Sequence, residues 1–257
     1  MSDTATAPIP VEDPGPRPVR RPAGIRTDEL THPSPSLDPG NITTIEGYEE
    51  HKEWLGEAVT AMSELQQAVQ RIIDAREASK RNPTWNESAQ VVHTSIFADR
   101  MSTAATPKVD AALRLLGARI TDTQAKLAQP LDAAVAGAVS TEVREYVRNL
   151  PTGKRSELMS SLIEKGDSKT LGALLGAGVP AFLSGLTDEQ VRVYTELHNR
   201  KRAPHLAGKL AALLIAQERL SNAGSLFILQ TERAQGVKPN VVAKLRAAQS
   251  AAEAKFR

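Results

Sequence analysis

The residues able to do chemistry are few and badly spaced for it. Five histidines, His32, His51, His93, His198 and His205, include no HExxH or comparable ligand spacing. His198 and His205 lie seven apart, but Pro204 intervenes, so one helical face need not carry both, and no metal site is expected. Gly153-Lys154-Arg155-Ser156 has the ending of a phosphate-binding loop, yet Arg148 stands where the first glycine is required and no strand precedes it. Without a glycine-rich backbone cradle nothing holds a triphosphate. No serine sits in a Gly-x-Ser-x-Gly elbow, and no acidic pair in an apolar setting suggests acid/base work. Cysteine is absent, which excludes a thiol nucleophile, a thiolate metal site and a disulfide framework. The expectation is a protein that is not an enzyme and holds no cofactor.

Two segments invite a binding role instead. Arg200, Lys201 and Arg202, with Arg192, His198, His205 and Lys209 nearby, form the densest positive patch. A helix C-terminus favours cations, so the patch reads as a solvated cap or as a contact for phosphate or an acidic partner. No pair of base-stacking aromatics accompanies it, which leaves nucleic acid a weak partner. Between Thr170 and Thr187 no residue is charged, but that stretch holds four glycines and Pro180 and falls short of the ~20 residues a span needs. Two short buried helices around a Gly-Val-Pro turn explain it better than a membrane does. Transient membrane contact remains the alternative.

The elements around these segments are helices. Hydrophobic residues make up 40% of the 257 but aromatics only 4%, so apolar surface is supplied largely by alanine and aliphatics, which suits closely approaching rods better than a pocketed enzyme. No segment alternates as a half-buried strand would. Thr43 with Glu46, Thr84 with Glu87 and Thr187 with Gln190 have capping-box spacing. Pro107, Pro204 and Pro239 mark further starts, and Pro83, Gly166 and Gly236 mark stops. The first helix, Thr44 to Arg81, would be about 57 Å long. Leu55, Met62 and Val69 fall seven apart, as do Ala58, Leu65 and Ile72, giving an a/d coiled-coil seam. That seam either packs along its own bundle or forms an interface with another chain. A second helix is expected over 85–101 and a third from Pro107, carrying Val109, Leu113, Leu116, Ile120 and Leu127, with an interruption at Pro130. Shorter pieces follow near 141–149, 153–165, 168–175, 179–184, 188–201, 204–222, 225–235 and 239–256.

Nine of the 16 prolines fall in residues 1–40, where apolar residues are scattered singly. Such a segment cannot offset its ordering entropy alone, and it reads as an extended arm. No secretory leader is expected, because proline and charge occupy the place of its apolar core. The formal net charge of +2 divides into −2 for the arm and +4 for the rest, too little for a nucleic-acid coat. The expected organisation is an all-α chain with an extended arm over 1–40, a long-helix hairpin or three-helix bundle over 41–150, and a short-helix bundle over 151–257.

Ser168-Lys169-Thr170-Leu171-Gly172-Ala173-Leu174-Leu175, then Pro180-Ala181-Phe182-Leu183-Ser184-Gly185-Leu186-Thr187-Asp188-Glu189-Gln190, running into Lys201-Arg202-Ala203-Pro204, resembles helical proteins encoded among the structural genes of tailed bacteriophages and prophages. The resemblance implies a virion or assembly role, with subunits of the same assembly as partners, and carries no residue with a chemical task. The function expected is therefore a structural component of a large assembly, put together in the host cytoplasm, whose arm laces onto neighbouring subunits. The alternatives are an ejected or scaffold-like protein that meets a membrane, and a cytoplasmic coiled-coil adaptor.

Overall fold

Three long helices dominate the chain. The computed structural model describes residues 29–132, 139–176 and 178–256, and every regular element among them is helical. After a 3₁₀ turn at Pro35–Leu37 and the single turn α1 (Gly40–Thr43) come α2 (Tyr48–Lys80), α3 (Glu87–Asp132), α4 (Val139–Asn149), α5 (Thr152–Lys165) and α6 (Ser168–Leu175). A second 3₁₀ turn (Ala181–Ser184), α7 (Asp188–Arg202), α8 (Pro204–Ala234) and α9 (Pro239–Glu253) complete the order.

The first core lies where α2, α3 and α8 meet. Apolar residues three and four apart put one stripe of each helix inward: Leu65, Val69 and Ile72 from α2, Val109, Ala112 and Leu116 from α3, and Leu213, Ala216 and Leu220 from α8. Alanines between the larger side chains bring the backbones close, and each fully buried Leu or Ile contributes roughly 1.5–3 kcal/mol. Contacts fix the directions. Arg119 of α3 pairs with Glu57 of α2 at 2.7 Å, Lys108 with Glu64 at 2.7 Å, and the Thr94 and Ser79 hydroxyls lie 3.3 Å apart, so α2 and α3 run antiparallel. His205 meets His51 while Arg76 reaches the Ala234 carbonyl, so α8 runs parallel to α2.

The second core is built by the short helices. Leu131 from the end of α3 joins Val147 of α4, Met159, Leu162 and Ile163 of α5, and Leu171 and Leu174 of α6. The uncharged stretch lies here: Leu171 to Leu175 of α6 are buried, as are Ala181 and Leu186 around the 3₁₀ turn. No helix among the described residues is long and apolar enough to cross a membrane. Residues 204–234, grouped by sequence with the short helices of 151–257, pack instead with α2 and α3, so the expected boundary near 150 does not separate the two cores.

Several expected boundaries differ for identifiable reasons. The two helices expected from Trp85 and from Pro107 are one helix, α3. Pro107 lacks an N–H to bond back to Thr103, but both residues are exposed, so water can serve that carbonyl while Ala105, Val109 and Ala112 hold the opposite face. The helix also runs on through position 130. Likewise 204–222 and 225–235 are one helix: Gly224 costs about 1 kcal/mol of helix propensity, but its flanking Ala223 and Phe227 are buried. Asn86, not Thr84, caps α3, its Oδ1 accepting from the Ala89 N–H at 2.9 Å. Thr43 ends α1 rather than starting α2, and Gly47 makes the break with a φ of 77°. The Thr187–Gln190 capping box forms in both directions.

The arm expected over 1–40 is not extended and free in its described part; residues 1–28 lie outside the described residues. From Glu29 the backbone is strapped across the bundle. Leu37 is fully buried, Leu30 packs against the first core, and Ser34 N–H donates to Gln230 Oε1 at 3.1 Å. Arg76, buried on α2, donates to the Leu30 carbonyl at 2.7 Å and to the Ala234 carbonyl at 3.0 Å, while Lys80 pairs with Glu29 at 2.8 Å. Single apolar residues suffice because side chains satisfy the strap's carbonyls. Arg76→Ala leaves two carbonyls without their donor and is expected to cost about 2 kcal/mol. A lowered urea midpoint at unchanged m-value would show it; an unchanged midpoint would mean that water replaces Arg76 without loss.

Candidate functional site

The six seam residues are where the heptads put them, but their surface is used inside the chain. Leu55, Ala58, Met62, Leu65, Val69 and Ile72 are at most 1% exposed, covered by α3 and α8. The packing realises the intramolecular alternative, and an interface through this stripe would require the bundle to open.

The basic patch also divides. Arg200 pairs with Glu196 one turn back at 2.6 Å, Lys201 donates to the Glu164 carbonyl at the end of α5 at 2.8 Å, and Arg202 donates to the Leu127 carbonyl of α3 at 3.1 Å. The three point to different acceptors instead of converging on one anion, and two of them tie α7 to neighbouring helices. Arg155, from the sequence that resembled a phosphate loop, is a carbonyl clamp. It donates to Val147 at 3.1 Å, Arg148 at 3.0 Å and Leu150 at 2.9 Å, and to the Gly185 carbonyl.

A surface that sequence reading missed lies on α8. Behind its core stripe the helix also exposes Leu214, Ile215, Ile228 and Leu229, with Ile228 at 62% and Leu229 at 58%. Ile228 edges a cavity of about 260 Å³ between α3 and α8, walled by Val109, Leu113 and Phe227 and floored by Leu65. The chain matches no protein-family model, no curated protein and no solved structure in these comparisons.

One end of the bundle gathers the most unusual side chains. His51 of α2 is 1% exposed, and its Nδ1 is buried without a hydrogen-bond partner. A Cβ on Gly47 would lie 3.4 Å from its ring and one on Gly208 of α8 3.3 Å, so both glycines make room for it. His205 meets it edge-on at 4.9 Å between ring centroids. Burial lowers the pKa of His51, and the neighbouring His205 lowers it further. Lys209, also buried, holds its ammonium 3.2 Å from the Trp54 ring centroid, with Arg119 5.6 Å from the same centroid. Burial, then Lys126, lowers the Lys209 pKa, whereas the hydrogen bonds from Arg119 hold Glu57 below the usual carboxylate range. His198, the other buried histidine, is lowered by burial and by Arg202. Among the described residues no group of three or more histidines and carboxylates is placed to hold a metal ion.

Proposed function

We propose that the chain is a non-enzymatic structural component of a large protein assembly, of the kind found in tailed-phage virions, and that residues 1–28 lace onto a neighbouring subunit. The supporting observation is that α8 exposes two apolar pairs away from its core stripe. Leu214 with Ile215 and Ile228 with Leu229 lie on the uncovered face, separated by Glu218, Ser221, Asn222 and Ser225, and each pair offers apolar surface that a neighbouring subunit would cover. The strap begins at Glu29, held by Lys80 and Arg76 at one end of the bundle. Twenty-eight residues can span about 90–100 Å when extended, well past the roughly 46 Å of α8, so the proposed lacing segment has the length to meet a neighbour.

Light scattering and hydrogen exchange on the full chain and on a chain lacking residues 1–28 test this reading. Assembly of the full chain, reduced by the deletion and by Ile228→Asp with Leu229→Asp, is expected. A full chain that stays monomeric at high concentration would remove the assembly reading, and equal assembly without residues 1–28 would remove the lacing.

A membrane-contacting role in delivery is favoured by one observation of its own. Phe182, in the uncharged stretch, is 71% exposed at a 3₁₀ turn. Liposome binding abolished by Phe182→Asp would support that role, and no binding to neutral or anionic vesicles would eliminate it.

A further inference from the structure

Burying His51 where a positive charge has no acceptor gives this end of the bundle a dependence on protons that none of the assembly surfaces requires. Its Nδ1 has no partner, and its Nε2 faces the backbone of Gly208, where even a methyl group would lie 3.3 Å away. The charged groups around it are mostly positive or already paired. From α8 come His205 and Lys209, and from α2 itself Glu50 and Glu53. Behind Lys209, α3 supplies Arg119, Asp122 and Lys126. Arg119 is taken by Glu57 through two hydrogen bonds of 2.7 and 3.0 Å, and Asp122 by Lys126 at 2.7 Å. Glu50 and Glu53 are exposed and favour a charged His51, Glu50 more strongly than Lys209 disfavours it, so burial and His205 are what oppose the proton.

We propose that the His51–His205 contact, one turn of α8 from the buried Lys209, is an acid-sensitive latch, in which protonation of the buried His51 ring releases the first turns of α8 from the start of α2. In the closed state His51 is neutral and its ring fills the gap between Gly47 and Gly208. Protonation would bury a second cation at the same end of the bundle as Lys209 with no carboxylate in contact, an arrangement that is strongly unfavourable unless the ring reaches water. The direction follows from linkage. A histidine whose folded pKa lies below its ordinary value stabilises the closed state fully above about pH 6.5, and that stabilisation is lost progressively as the pH falls below it. If only the open state takes up the His51 proton, opening is favoured by up to about thirtyfold at pH 5 relative to pH 8. The far end of α2, held by Arg76 and the strap, has no buried histidine and stays closed.

Trp54 reports on the latch, because Lys209 lies on its ring. Trp85 stacks on His93 at 4.1 Å, away from the latch, so Trp85→Phe removes its emission and is the background for the measurement. Between pH 8 and pH 5, Trp54 emission should shift red. Amide exchange, corrected for its intrinsic pH dependence, should quicken by up to about thirtyfold in residues 48–56 and 204–212 but not in 72–79. His51→Phe, a neutral ring of similar shape, should abolish both changes. Should that variant fold poorly, His205→Gln at an exposed position should move the acid midpoint to lower pH. An identical acid response in the His51 and His205 variants, uniform acceleration along all three long helices, or no response in the parent would each overturn the proposal.

Discussion

Leu65→Asp combined with Ile72→Asp is expected to unfold the isolated chain, not merely to dissociate an oligomer. Both side chains are at most 1% exposed and lie two turns apart on the stripe of α2 that faces α3 and α8. Each substitution removes a buried aliphatic group, costing about 2–5 kcal/mol as a truncation to alanine would, and adds a carboxyl group with no partner. The pair therefore costs on the order of 8 kcal/mol, comparable with the whole stability of an ordinary domain. Far-UV circular dichroism should show helicity lost at 25 °C, with a broad or absent thermal transition. A folded double variant with full helicity and a smaller mass by light scattering would mean that the stripe serves another chain and that α3 and α8 do not cover it in solution.

How much of this was legible in the sequence depends on whether the deciding contact is local. Ser168–Leu175, the Thr187 capping box, and the starts at Pro204 and Pro239 were readable because the residues that decide them lie within one turn. The seam on α2 was readable because buried stripes keep helical period, although period alone does not say which chain covers them. Pro107 and Gly224 misled for the opposite reason: their local penalties are real, but burial of Ala105, Val109, Ala223 and Phe227 outweighs them. The strap from Glu29 to Leu37 depends on Arg76 and Gln230, remote in sequence, and composition could not reveal them. His51 and His205 are remote in sequence and meet only in the folded bundle. The usable signal there was Gly47 and Gly208, each within a turn of one of the paired histidines, where small residues make space for a ring.

Arg155→Ala should loosen the second core by about 3 kcal/mol while leaving the three long helices intact. Its guanidinium and Nε serve four carbonyls. Three of them, at Val147, Arg148 and Leu150, are at the end of α4 and just beyond it, where a helix runs short of donors and favours a cation, although Val147 also accepts from the Leu150 N–H at 3.2 Å. The fourth, at Gly185, anchors the 3₁₀ turn that follows Pro180. Losing the donor exposes partly buried acceptors at about 1 kcal/mol each, with some recovered by water. Lysine offers a single ammonium in place of a planar fork, so Arg155→Lys should regain less than half of the loss. Gly185→Ala attacks the same contact from the other side, because its φ is 66° and a Cβ would come 2.9 Å from Arg155 Cζ. The two sites share one contact, so the double variant should cost clearly less than the sum of the singles. Exchange should quicken in residues 139–150 and 181–186 and stay slow in α2. Full rescue by lysine, or strict additivity with Gly185→Ala, would show that the four-way clamp does not hold α4 to the turn, leaving burial of Val147, Met159 and Leu174 as what positions that helix.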